Sequence, residues 1–158
     1  MNVLNNTINR IIYLVNEVPA KIINIDAALL SKKPAPDKWS KKEILGHLCD
    51  SAVNNLSRFI RAQFEEQPFK IVPYEQNHWV KRNNYQETDI NDIIEYWVVL
   101  NKRIAFIISN IPEETLGILC NLGNAAFREG EIEKNLLWLI EDYVVHMEYH
   151  LRQIVEVG

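Results

Sequence analysis

Four histidines are the scarce chemistry-bearing residues of this chain: His47, His78, His146 and His150. His146 and His150 stand four apart, a spacing that a helix stacks on one face about one turn apart. Two imidazoles so placed can chelate one divalent cation, because the helix fixes their separation before the ion arrives. Leu139, Tyr143, Met147 and Ile154 share that face and are core-type residues, so the pair points along the edge of an interior. His47 lies three residues after Ile44 and four before Ser51, beside a second apolar stripe. A lone histidine there reads as a core or boundary residue. Three on the inward flanks of helices that can face one another make a metal site. Such a set leaves about one to three coordination positions for water or substrate, as in an open catalytic site, and its nitrogen donors suit zinc, nickel, iron or copper.

Other groups could serve that site. Asp142 precedes His146 by one turn, where it would orient a ligand, act as a base, or lie at the bundle surface. Asp50, three residues after His47, poses the same choice. Glu43 is accounted for by a helix cap, and His78 reads as an exposed loop residue. Tyr74 and Trp79 would either wall a site for an apolar or planar substrate or close one end of the core. Cys49 and Cys120 form no C-x-x-C pair and read as buried small hydrophobes in a reducing compartment. The chain has no G-x-S-x-G, Walker or dinucleotide fingerprint.

The elements that must position these residues are helical. Apolar residues recur at near-helical intervals from Val3 to Leu30, with Pro19 set to bend or restart the first helix. Lys33-Pro34-Ala35-Pro36-Asp37 is a linker, and Ser40-Lys41-Lys42-Glu43 is a capping box that opens a second helix running to about Gln63. Ile44, Leu45, Leu48, Ala52, Leu56, Phe59 and Ile60 form its apolar side. Pro68 and Pro73 bracket a long irregular segment reaching Trp79, and loops of that length often line sites. A third helix is expected over about 89–109, capped by Thr88 or Asp89, and a short turn of helix at 111–114. Residues 117–130 read as a loop with a short strand. A fourth helix is expected from near Glu131 to about Val155, with Ile132 facing inward. Four amphipathic helices in one chain imply an all-α four-helix bundle, one domain over 1–158.

Composition narrows the function classes. The 158 residues are 47% apolar and 24% charged, enough for a sizeable core and unlike a disordered or collagen-like chain. A formal charge of −4 gives no basic surplus for nucleic acid. No apolar run approaches the roughly 20 residues of a membrane span, and the first residues lack a signal-peptide pattern. The expectation is a soluble cytoplasmic protein without membrane or nucleic-acid partners.

Gly46-His47-Leu48-Cys49-Asp50 and Asp142-Tyr143-Val144-Val145-His146-Met147-Glu148-Tyr149-His150, with the stretches 39–50, 74–80, 97–103 and 137–151 in that order, resemble the DinB-like superfamily. That group includes YfiT-like metal hydrolases and the thiol S-transferases that use bacillithiol or mycothiol. The resemblance implies a bundle holding one divalent metal, zinc or nickel, on His47, His146 and His150, and frequent homodimers. It implies a small-molecule substrate, with a low-molecular-weight thiol as one partner, and no particular reaction. Two functions follow: a metal-dependent hydrolase or thiol transferase, or a non-catalytic stress-related protein whose metal or histidine cluster is structural and which acts by association.

Overall fold

The computed structural model describes residues 2–123 and 132–158. Its first helix, α1 (Asn5–Ile23), buries Ile11, Leu14, Val15, Val18 and Ile22, spacings that keep one stripe inward. Pro19 lies inside α1 without ending it, and the break comes later, before a short α2 (Ala27–Ser31) whose cap is Asp26 accepting from the Ala28 amide.

The capping box opens α3 (Lys41–Arg61), with Ser40 Oγ accepting from the Glu43 amide and the Glu43 carboxylate accepting from the Ser40 amide. Leu45, Leu48, Cys49, Ala52 and Phe59 are buried along it, whereas Ile60 is 40% exposed, because the stripe rotates off the core at the last turn. The irregular connection to the next long helix carries short elements that periodicity alone does not reveal: strand β1 (Phe69–Lys70), α4 (Gln76–Arg82) and a 3-10 turn over Tyr85–Glu87. Seven residues give α4 too few turns for a readable stripe, and no side chain caps it.

The third long helix, α5 (Ile90–Ser109), is capped by Asp89, which accepts from the Asn91 amide. A 3-10 turn at Glu113–Gly117 leads to β2 (Leu119–Asn121). Then β3 (Glu133–Asn135) runs directly into α6 (Leu136–Leu151), where Asn135 caps by accepting from the Trp138 amide. The expected helix start near Glu131 is therefore corrected: Glu131 itself lies outside the described residues, residues 133–135 are strand, and Ile132 is 61% exposed. Of the loop expected over 117–130, residues 124–130 also lie outside the description. The small sheet runs β1-β2-β3, with β1 parallel and β3 antiparallel to β2, and Cys120 opposite both Phe69 and Lys134.

The four long helices α1, α3, α5 and α6 make the bundle. The second, α3, packs against α5 and α6, and α1 closes on α5 and α6. One buried polar link fixes the rotation of α6: Asn101 donates to the Trp97 carbonyl and accepts from the Tyr143 hydroxyl at 2.6 Å. Tyr143 also meets Phe59 edge to face at 5.8 Å. With Tyr143 held inward, His146 and His150, one and two turns on, are aimed at α3. Among the described residues no helix is long and apolar enough to cross a membrane.

Candidate metal centre

Helix α3 brings His47 and helix α6 brings His146 and His150 into one cluster, with one ring nitrogen from each within 4.8 Å of the others. Ring centroids lie 5.3 Å apart for His47 and His146, 4.8 Å for His47 and His150, and 4.6 Å for His146 and His150, each pair edge to face. His47 is fully buried, and neither of its ring nitrogens has a hydrogen-bond partner. Buried polar atoms are nearly always satisfied, and an orphaned one costs about 1–3 kcal/mol. What His47 faces is two more imidazoles, whose donor set fits a transition-type divalent cation.

Electrostatics keep this cluster neutral. Burial, then the nearby His150 and His146, pull His47 down to about 3. Burial and His150 lower His146 to about 4, and burial lowers His150 as well. At neutral pH all three rings carry a free lone pair.

Two side chains set the rings in place, and neither was legible as a site residue. The Gln153 amide oxygen lies 2.8 Å from His150 Nδ1, so Nδ1 donates and Nε2 keeps the lone pair. The Trp39 ring packs on His47 at 4.7 Å, tilted 33°. A signal for Trp39 does exist in the sequence: it precedes the capping Ser40 by one residue, and Ile44 follows at the fourth helical position, the two places used by a hydrophobic staple. Gln153 had no such signal, because it follows the end of α6 and meets His150 only through the turn there.

The Gly46–Asp50 stretch has a second purpose. A Cβ on Gly46 would stand 2.2 Å from the Tyr85 ring, so only glycine admits that ring against α3. The Tyr85 hydroxyl then donates to Asp50 Oδ1 at 2.7 Å, joined by Asn83 Nδ2 at 2.9 Å. Asp50 is buried, and burial outweighs these donors, raising its carboxyl to about 6. It lies outside the three-histidine cluster.

The remaining candidates separate. Asp142 is half-buried on α6, and His78 is exposed on α4, both outside the cluster. Glu43 also accepts from Lys33 Nζ at 2.5 Å. Tyr74 and Trp79 are half-buried and meet edge to face at 5.5 Å. Tyr74 sits over the Arg58 guanidinium and beside Ser51, and burial raises its hydroxyl to about 12. Burial also raises both thiols, Cys120 to about 11 and Cys49 further, so neither is a thiolate at neutral pH.

A cleft of about 470 Å³ has Trp39 and Gln153, the two side chains that touch His47 and His150, in its lining, while the three histidines themselves do not line it. Tyr74 and Trp79 do not line it.

Residues 14–154 match the sequence pattern of the DinB superfamily. A protein of Halalkalibacterium halodurans named "Putative metal-dependent hydrolase BH0277" is 25% identical over 109 residues, which cover 69% of this chain and 63% of that one. YfiT from Bacillus subtilis, described as a probable metal-dependent hydrolase with an unusual four-helix bundle topology, superposes with a TM-score of 0.77 at 20% identity. That match covers 97% of this chain and 86% of YfiT. A mycothiol-dependent maleylpyruvate isomerase superposes with a TM-score of 0.73 at 10% identity, over 99% of this chain and 62% of that enzyme. These two likenesses show the shared four-helix fold.

Proposed function

The chain belongs to the DinB superfamily, and from that premise we propose that it is a metal-dependent enzyme acting on a small molecule, with His47, His146 and His150 holding one divalent cation, zinc or nickel. The observation that carries this reading is His47, fully buried with both nitrogens unpartnered and two imidazoles in front of it. When bound, such a cation supplies a positive charge that lowers the pKa of a water or a thiol and so provides a nucleophile at neutral pH.

The chain's own residues do the rest. The three imidazoles stay neutral and offer lone pairs, and the Gln153 amide keeps His150 Nε2 free by accepting from Nδ1. Trp39 packs against His47 and holds its ring in place. Asp142, one turn before His146, would accept a proton from the nucleophile or orient a ligand ring. Tyr74 and Trp79 would meet the substrate from the segment between α3 and α5. The reaction is hydrolysis when the nucleophile is water and transfer when it is a low-molecular-weight thiol. That thiol arrives with the substrate, since Cys49 and Cys120 are buried and protonated.

Elemental analysis of the purified protein should find one equivalent of cation, lost in both His47→Ala and His150→Ala. Unchanged stoichiometry in both variants would sink the three-histidine site. A panel of thiols with electrophiles, and of esters and amides, should show turnover that a chelator abolishes; a metal-loaded protein inert to the whole panel points instead to a structural metal.

A further inference from the structure

Net charge hides a local concentration. The chain is formally −4, yet residues 32–42 contain five lysines, Lys32, Lys33, Lys38, Lys41 and Lys42, against one acid, Asp37. This run joins α2 to the start of α3 and supplies Lys32, Pro34, Trp39 and Lys41 to the lining of the cleft.

The lysines differ in their engagement. Lys33 is paired with Glu43, and Lys42 donates to the Gln86 carbonyl. Lys41 donates to the main-chain carbonyls of Gln153 at 3.3 Å and Ile154 at 2.8 Å, which holds its charge at the cleft wall without neutralising it. Lys32 is exposed on the lining, and none of the described residues lining the cleft carries a carboxylate. The rest of the wall is apolar, from Leu29, Pro34 and Ile44, and Leu29 is 53% exposed there. At about 470 Å³ the volume suits a small organic molecule.

We propose that this cleft is the substrate's binding subsite and selects a small anion, a carboxylate or phosphate on an apolar body, with the anionic group at Lys32 and Lys41. The body lies against Leu29, Ile44 and the Trp39 ring, and the far end reaches the imidazoles past Trp39 and Gln153. This rests on the reading of the histidine cluster as the reacting centre. Positive charge at an entrance also raises the encounter rate of an anionic ligand, an effect that salt suppresses.

The test uses 1-naphthoate and its neutral isostere 1-naphthamide as probes, with binding followed by tryptophan fluorescence on the full chain as purified and after chelation. Chelation matters because a carboxylate could otherwise bind a metal directly. Naphthoate is expected to bind at least about threefold more tightly than naphthamide in both forms. Lys32→Gln should remove that preference and Lys32→Glu should invert it, while naphthamide binding stays unchanged in each. Equal affinity for the two probes, no binding of either, or a preference untouched in both Lys32 variants would overturn the proposal. Selectivity in a protein that elemental analysis shows to take up no cation would leave the subsite standing while the metal-centre reading fell. Loss of selectivity with the metal retained would do the reverse.

Discussion

His47 and Asp50 are buried on the same helix less than one turn apart, and their surroundings differ, although Asp50 Oδ2, like both His47 nitrogens, has no hydrogen-bond partner. Asp50 is given hydrogen-bond donors on one oxygen, from Tyr85 and Asn83, by a segment packed onto α3. His47 is given neither donor nor acceptor; it faces His146, His150 and the Trp39 ring. A buried polar group with local partners is tied into the fold, whereas one without partners that faces two further imidazoles is, on the proposed reading, held for a cation. The difference teaches that one short motif can contain a structural half and, on the proposed reading, a functional half.

Their pKa shifts oppose each other in stability, which gives the largest way to break the comparison. The His47 pKa is about 3 in the fold against 6.5 for an ordinary imidazole, so between those values the unfolded chain binds the extra proton and stability falls on acidification. At pH 4 that loss is about 3 kcal/mol in the metal-free protein. The Asp50 pKa is about 6 against 3.8, so the folded chain binds the extra proton and acidification restores roughly 2 kcal/mol by pH 4. Denaturant unfolding of the chelated protein at pH 7 and pH 4 should show His47→Ala flattening the acid loss and Asp50→Asn deepening it. The same slope in both variants would erase the distinction.

A smaller effect is expected at the structural half. Gly46→Ala pushes a methyl group into the Tyr85 ring and should lower unfolding free energy by about 1–3 kcal/mol. The functional half has its counterpart in Gln153→Ala, which leaves His150 without its orienting acceptor and should weaken metal affinity about tenfold, or about 1.4 kcal/mol. Competition with a chromophoric chelator measures it, and Gly46→Ala protein that remains folded should keep wild-type affinity in that assay. A Gln153 variant of unchanged affinity would return that residue to the surface.

Much of the candidate site was legible because its three histidines obey the helical period. His146 and His150 at four apart, and His47 beside the Ile44 and Leu48 stripe, fall on inward flanks once the helices are drawn. The capping box fixed the start of α3, and the irregular stretch ending at Trp79 was visible from Pro68 and Pro73. What escaped had no period to display. Helix α4 has seven residues, β3 has three, and each exists through contacts with distant chain: Val80 buried in the core, Lys134 opposite Cys120.

The sequence by itself determined the bundle's helices, the scarcity of groups able to do chemistry, and which faces carry them, because burial of apolar stripes and capping are local matters of spacing. Only the tertiary structure decided that three imidazoles from two helices share one point, that Asp50 belongs to Tyr85, and that Lys32 and Lys41 line a cleft together with Trp39 and Gln153. Those relations join residues tens of positions apart, and no local pattern encodes the rotation and register with which the helices pack.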